Sequence, residues 1–172
     1  QAEHNLVDVH ATNLQTDFTK SLAAATLRYG FDLRYDAVAS AAYLQNIDDG
    51  SRDFSAISTR YPSQGSGLAS GGAYAEATYP LSAKWKLRGG VRYSRQRLNA
   101  RFGAEDPVAW PQPYLDGINN TEGATTAALG LLHKAGPHRW RTLFSQGFRA
   151  PNIDDFAKFR ERNGFILVPN TE

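Results

Sequence analysis

The chain has 172 residues, 41% of them hydrophobic, with 19 Lys and Arg against 17 Asp and Glu for a net charge of +2. That near balance argues against a strongly basic nucleic-acid binder, and no apolar run approaches the ~18 residues of a membrane helix. With no cysteine, the sequence excludes a disulfide framework, a thiol nucleophile and a Cys-based zinc site.

The first residues, Gln1-Ala2-Glu3-His4, carry neither a Met nor the basic and apolar regions of a signal peptide. The expectation is a processed chain or an internal piece, and Val168-Pro169-Asn170-Thr171-Glu172 reads as mid-loop. Residues His4 to Leu14 form a first strand candidate, in which Val7, Val9 and Ala11 alternate with Asp8 and His10. A polar turn is expected around Thr16 to Lys20.

The clearest pattern follows. From Ala23 to Ala37 the odd positions are Ala23, Ala25, Leu27, Tyr29, Phe31, Leu33, Tyr35 and Ala37, and the even ones include Thr26, Arg28, Asp32, Arg34 and Asp36. Side chains on a strand alternate between faces, so this is one strand with an apolar and a charged face. At ~3.3 Å per residue it reaches roughly 50 Å, and tilted about 45° it still crosses a ~30 Å hydrocarbon core. A half-buried strand of a soluble sandwich shares the alternation, although such strands usually run only ~5–6 residues.

Ser40 to Gly71 reads as a long loop from its Asp48-Asp49-Gly50 and Arg60-Tyr61-Pro62-Ser63-Gln64-Gly65 stretches. Alternation returns from Gly72 to Tyr79, turns at Pro80 to Lys84, and resumes with Trp85, Leu87, Val91 and Tyr93 against Lys86, Arg88, Arg92 and Ser94. Tyr79 and Trp85 flank this turn as members of an interfacial aromatic girdle would. Ala100 to Glu122 is a second long loop. Ala124 to Leu132 and His138 to Phe148 make a third hairpin around His133 to Pro137. Ala150 to Glu172 is a last loop, with a helical turn around Asp154 to Arg162.

Short turns therefore alternate with long loops. Most connections in soluble domains run ~4–6 residues, whereas outer-membrane barrels combine short periplasmic turns with long extracellular loops. The fold class expected is all-β: an antiparallel up-and-down meander forming part of a large transmembrane β-barrel. Bacterial barrels of this kind start at about eight strands, and lipid does not tolerate an open sheet edge. Residues 1–172 are thus read as a partial barrel domain of about six strands in three hairpins, with a plug and further strands absent.

Several stretches resemble TonB-dependent outer-membrane receptors. Tyr79-Pro80-Leu81 through Trp85-Lys86-Leu87-Arg88-Gly89-Gly90-Val91-Arg92-Tyr93-Ser94 is similar to their central hairpin. Phe148-Arg149-Ala150-Pro151, within Ser145 to Asn152, resembles a motif of the family, Val168-Pro169-Asn170 resembles its downstream Pro-Asn box, and Arg60-Tyr61-Pro62 resembles an outer loop. The resemblance implies a barrel of about 22 strands filled by an N-terminal plug. It further implies residence in the outer membrane, in contact with its lipid. It implies uptake of a scarce nutrient (an iron–siderophore, haem, cobalamin or a glycan), energised by TonB through a plug segment that is not in this chain. The family's haem receptors place a histidine between the two boxes, and Asn152 to Val168 has none.

No catalytic pattern stands out: there is no Gly-x-Ser-x-Gly and no His-Glu-x-x-His. Asp154-Asp155 reads as the start of a helix, Asp48-Asp49 as a solvated turn, and His133 with His138 as interfacial side chains, so neither a metal site nor a cofactor is expected. Lys86, Arg88, Arg92, Arg139 and Arg141 fall on the inner face. They either pair with Asp32, Asp36 and Glu76 or present a basic lumen to an anionic ligand or an acidic plug surface. Trp110 and Tyr114 are candidates to stack on a ligand, or else the loop packs on itself. Arg149 is a third ligand-binding candidate, expected to position the loop after it. An outer-membrane barrel enzyme and a soluble β-sandwich binding module are the alternatives to a transporter.

Overall fold

A computed structural model describes residues 1–172 except 56, 105, 107, 157, 159, 163, 164 and 168–172. The elements in order are β1 (Ala2–Ser21), β2 (Thr26–Gln45), β3 (Arg52–Asp53), β4 (Ser66–Pro80), β5 (Trp85–Ala100), α1 (Gln112–Leu115), β6 (Ile118–Ala135), β7 (His138–Ser145), α2 (Ile153–Phe156), β8 (Arg160–Arg162) and β9 (Phe165–Leu167). The main sheet runs β1-β2-β4-β5-β6-β7 with every neighbour antiparallel, β3 pairs with β2, and β8 pairs with β9 in a separate ribbon. The meander is curled into half of a barrel. The all-β fold class expected from the alternation is the one found. Among the described residues no helix is long and apolar enough to cross a membrane, which says nothing of strands.

At one end of the sheet the connections are the tight turns 22–25, 81–84 and 136–137; at the other they are the long segments 46–65 and 101–117. Gly136 makes the last turn possible by taking a φ of 58°, a region costly for residues with a Cβ.

The register fixes two faces. One carries Tyr29, Phe31, Leu33, Tyr35, Val91, Tyr93, Leu129 and Phe144, all exposed. The other carries Arg28, Asp32, Arg34, Glu76, Arg88 and Arg92. This second face is the concave one, because its side chains meet across an intervening strand. Arg92 on β5 reaches Asp32 on β2 at 2.7 Å, passing over Gly72 of β4, where a Cβ would collide with the guanidinium. Tyr74 on β4 likewise donates to Asp17 on β1 across Gly30, whose Cβ would strike the Thr16 carbonyl.

Several boundaries differ from expectation, among them the last hairpin, whose turn narrows from 133–137 to 136–137 and whose second strand ends at Ser145 and not at Phe148. No turn forms at Thr16 to Lys20. β1 runs on to Ser21, because Leu14, Thr16 and Phe18 keep alternating with Asn13, Gln15 and Asp17, and Phe18 stacks on Tyr29 with centroids 5.3 Å apart. The loop read from Ser40 to Gly71 shrinks to 46–65, as Ala- and Ser-rich sequence extends β2 and small residues begin β4. The loop from Ala100 to Glu122 shrinks to 101–117, since Ile118 to Gly123 pairs fully with Arg95 to Ala100. The helical turn expected over Asp154 to Arg162 is limited to α2, and Arg160–Arg162 pairs as a strand with Phe165–Leu167. The Pro-Asn box at Val168 to Asn170 lies outside the described residues.

Candidate functional site at the loop-covered end of the concave face

Along β5 the even positions pass from Lys86, Arg88 and Arg92 to Leu98 and Ala100. The concave face therefore changes from charged to apolar as it nears the long-loop end. Val38 on β2, Leu98 and Ala100 on β5 and Ile118 on β6 form the floor of a buried cluster there. Leu98 is 1% exposed. Burying a leucine side chain stabilises by about 1.5–3 kcal/mol, enough to hold a loop against the sheet.

Two segments supply the buried cover of that floor, and Tyr61 of 46–65 packs against it. From 101–117 come Phe102, Trp110 and Tyr114, with Phe102 centred 4.5 Å from Trp110 and edge-on to Tyr114 at 5.3 Å. The Asp106 carboxylate fixes the fold of this loop, accepting from the Trp110 indole N–H at 2.7 Å and from the Gly103 backbone N–H at 3.1 Å. From the segment after β7 comes Ile153, which joins the same cluster.

The Phe148 to Pro151 motif delivers Ile153 to its place. Arg149 donates from one guanidinium nitrogen, Nη2, to both oxygens of Asp155 at 3.0 Å, a bifurcated, charge-assisted contact. Asp155 also accepts the Asn152 N–H at 2.9 Å, and the Asn152 side chain accepts the Asp155 N–H at 3.0 Å, reciprocal capping at the start of α2. Gln96, on the concave side of β5, donates to the Pro151 carbonyl. Tyr61 donates its phenol proton to Asp154 at 2.6 Å, tying the 46–65 loop to the same segment. That bond, with the nearby Lys158, holds the Asp154 carboxyl below its usual range, and it raises the Tyr61 phenol.

The expected site residues thus fall in one region in two different roles. Trp110 and Tyr114 are 7% and 9% exposed, their rings packed on one another and on Phe102, so the loop packs on itself. Arg149 is exposed and engaged with Asp155. Of the inner-face cations, Arg88 pairs with Glu76 at 2.6 Å and Arg92 with Asp32 at 2.7 Å. Arg34 pairs with Asp36, while Lys86, Arg139 and Arg141 make no ion pair among the described residues. His133 stacks on Trp85 with centroids 4.0 Å apart on the outward face. Asp49 accepts from the Ser51 N–H and hydroxyl, which lowers its pKa as in a closed polar turn. Among the described residues no three His, Asp or Glu are grouped as metal ligands.

Sequence reasoning passed over Gln96, Leu98, Phe102 and Ile153, and met Tyr61 only within the Arg60-Tyr61-Pro62 stretch. A signal for Leu98 was available, since it continues the even row of Arg88 and Arg92 and so had to lie on the concave face. Nothing local in the sequence announces that Ile153 would be its neighbour.

Comparison with known proteins agrees with this architecture. The family described as TonB dependent receptor-like, beta-barrel matches residues 3–170. A solved structure named "Copper transporter OprC" superposes with a TM-score of 0.73 at 14% identity, over 90% of this chain and 23% of that one. The chain thus spans about a quarter of the length of that transporter, and the likeness concerns the fold. No curated protein sequence matches.

Proposed function

Because the chain belongs to the TonB-dependent receptor β-barrel family of the outer membrane, we propose that it is one wall of a receptor that takes up a chelated nutrient such as an iron complex. In this reading residues 1–172 are part of a barrel domain completed by further strands and a plug. TonB acts through that plug, and the ligand is captured at the loop-covered end. Supporting it above all is the construction of that end. Loops 46–65 and 101–117 and the 148–156 segment fold over the concave face and converge on one apolar floor.

In this role Trp110 and Tyr114 shape the rim that meets the ligand, and Arg149 orders the segment beside it. The neighbour's printed cargo is copper. The present stretch has no Cys and no Met, so it offers none of the soft donors that favour copper(I). Hydrolysis at the rim is the weaker alternative, because among the described residues no acid pair or Ser-His-Asp arrangement supports it.

The test is accumulation of a labelled ferric siderophore by cells expressing the full-length receptor, with and without TonB. Uptake should require both proteins, and uptake that persists without either would overturn the proposal. In the same cells Arg149→Ala should reduce uptake and expose 148–156 to protease. Unchanged uptake with unchanged protease resistance would remove Arg149 from the reading.

A further inference from the structure

On the outward rows of β2, β4, β5, β6 and β7, Arg95 and Arg97 are the only Lys, Arg, Asp or Glu. Both are exposed, and neither makes an ion pair or side-chain hydrogen bond among the described residues. An unpaired arginine facing hydrocarbon costs about 2–4 kcal/mol at mid-bilayer but little near the interface. The height of the pair therefore decides what it does.

Trp85 opens β5 at the short-turn end, beside His133 and Trp140 in the same row. At ~3.3 Å per residue and a tilt of about 45°, Arg95 stands ~23 Å and Arg97 ~28 Å above Trp85, against an apolar band about 25 Å tall. Arg95 thus stands at the edge of the band and Arg97 beyond it, and side chains of this length extend their charged heads into the outer headgroup layer. Two tyrosines mark the same boundary. A Cβ on Gly123 would lie 3.4 Å from the Tyr93 hydroxyl, and one on Gly67 would lie 3.2 Å from that of Tyr35, so both phenols lean toward the loop end.

The surroundings leave the guanidinium groups accessible. Arg95 is flanked across the strands by Gly71 and Gly123, and Arg97 by Ala69 and Thr121. Directly beyond them a groove of about 370 Å³ opens, lined by His10, Tyr35, Gln64, Asn99 and Arg101 among others. On the outward rows of the six strands of this sheet the one acid is Asp8 on β1, which sits 3.4 Å from His10. Arginine forks suit phosphate, and the amides and phenol of the groove suit sugar hydroxyls.

We propose that Arg95, Arg97 and Arg101, with the groove at Tyr35 and Asn99, bind the phosphorylated sugar headgroup of an outer-leaflet glycolipid. The site holds the barrel wall to its lipid and lies on the opposite face from any transported ligand.

The full-length receptor would be placed in phosphatidylcholine nanodiscs with added lipopolysaccharide, and separately with added phosphatidylglycerol or inorganic phosphate. Lipopolysaccharide bound per receptor is then measured after washing. Arg95→Gln with Arg97→Gln should lower it about tenfold, as expected for the loss of charge-assisted bonds. The Lys pair at the same positions should restore part of it, and Arg139→Gln, on the concave face, should leave it unchanged. Retention of lipopolysaccharide by the Gln pair would overturn the site. Equal retention of phosphatidylglycerol, or displacement by inorganic phosphate, would overturn its assignment to a glycolipid.

Discussion

The two ends of this sheet follow opposite rules on the same strands. In the half near the short turns, β1 turns Leu14 and Phe18 outward and Asn13, Gln15 and Asp17 inward. β5 does the same with Val91 and Tyr93 against Arg88 and Arg92. Near the long loops the assignment reverses. β1 turns Asp8 and His10 outward and Val7, Val9 and Ala11 toward the concave face, and β5 turns Arg95 and Arg97 outward and Leu98 and Ala100 inward. No bulge or register slip intervenes; the backbone alternates without interruption while the solvent changes. Lipid requires apolar side chains outside the lower half, and folded loops require them inside the upper half. One sheet thus spans two environments, and its polarity inverts where it leaves the membrane.

The largest effect expected is at the loop-covered floor. Leu98→Ala in the full-length protein should cost about 2–5 kcal/mol, the usual range for emptying a buried leucine site. The damage should be confined to the loop end. Protease should cut 101–117 and 148–156 faster, while the outward face of the lower half stays inserted. Loss of the whole barrel from the outer membrane would mean the two halves are not separable, and the comparison would break.

A slightly smaller effect is expected on the outward face of the lower half. Phe31→Arg places a charge near mid-bilayer and should cost about 2–4 kcal/mol, seen as lost assembly and lost heat-modifiable migration. Arg92→Gln, on the concave side, removes a half-exposed pair with Asp32 and should cost under ~1 kcal/mol. Cysteines placed singly along β2 from Leu27 to Tyr35 sharpen the contrast. Odd positions should react with a lipid-phase label and even ones should not. Equal labelling of both would sink the assignment of faces.

The lower half was legible in the sequence and much of the upper half was not. From Leu27 to Tyr35 every apolar residue is odd and every charged one is even, so periodicity alone yields the strand and its faces. The alternation at Val7 to Ala11 was just as visible, but alternation does not say which face meets which solvent. Only pairing with β2, which sets Ala11 opposite Asp36, puts those valines on the concave side. Thr16 to Lys20 read as a turn because threonine is polar by composition, yet β-branched threonine suits a strand and Phe18 gains a cross-strand partner in Tyr29. Trp110 and Tyr114 were singled out as aromatics in a loop. Their burial depends on Leu98 and Ile153, residues far apart in sequence that no local pattern links. The contact of Arg149 with Asp155 is local by comparison, because the two are close in sequence and the Pro151 ring limits the path between them.

The smallest effect expected is a pH response at the loop end, and it tests whether the covering segments are docked by their own contacts. Tyr61 donates to Asp154 at 2.6 Å, and this bond holds the Asp154 carboxyl below its usual range. A depressed carboxylate pKa stabilises the docked form above the ordinary value of about 4, and that contribution is lost as pH falls through the docked-state pKa. Docking of 150–156 should therefore loosen in acid, seen as faster amide exchange there with no change in the membrane-spanning part of β2. Asp154 is half exposed, so the contribution should stay under about 1 kcal/mol. Tyr61→Phe removes the donor and keeps the ring. It should speed exchange at neutral pH and flatten the response to acid, because the Asp154 carboxyl then returns toward its ordinary value. Should Tyr61→Phe keep the full acid response, the titrating group would lie elsewhere, and the tie between the 46–65 loop and the 150–156 segment would have to rest on the apolar contact of Tyr61 with the buried cluster instead.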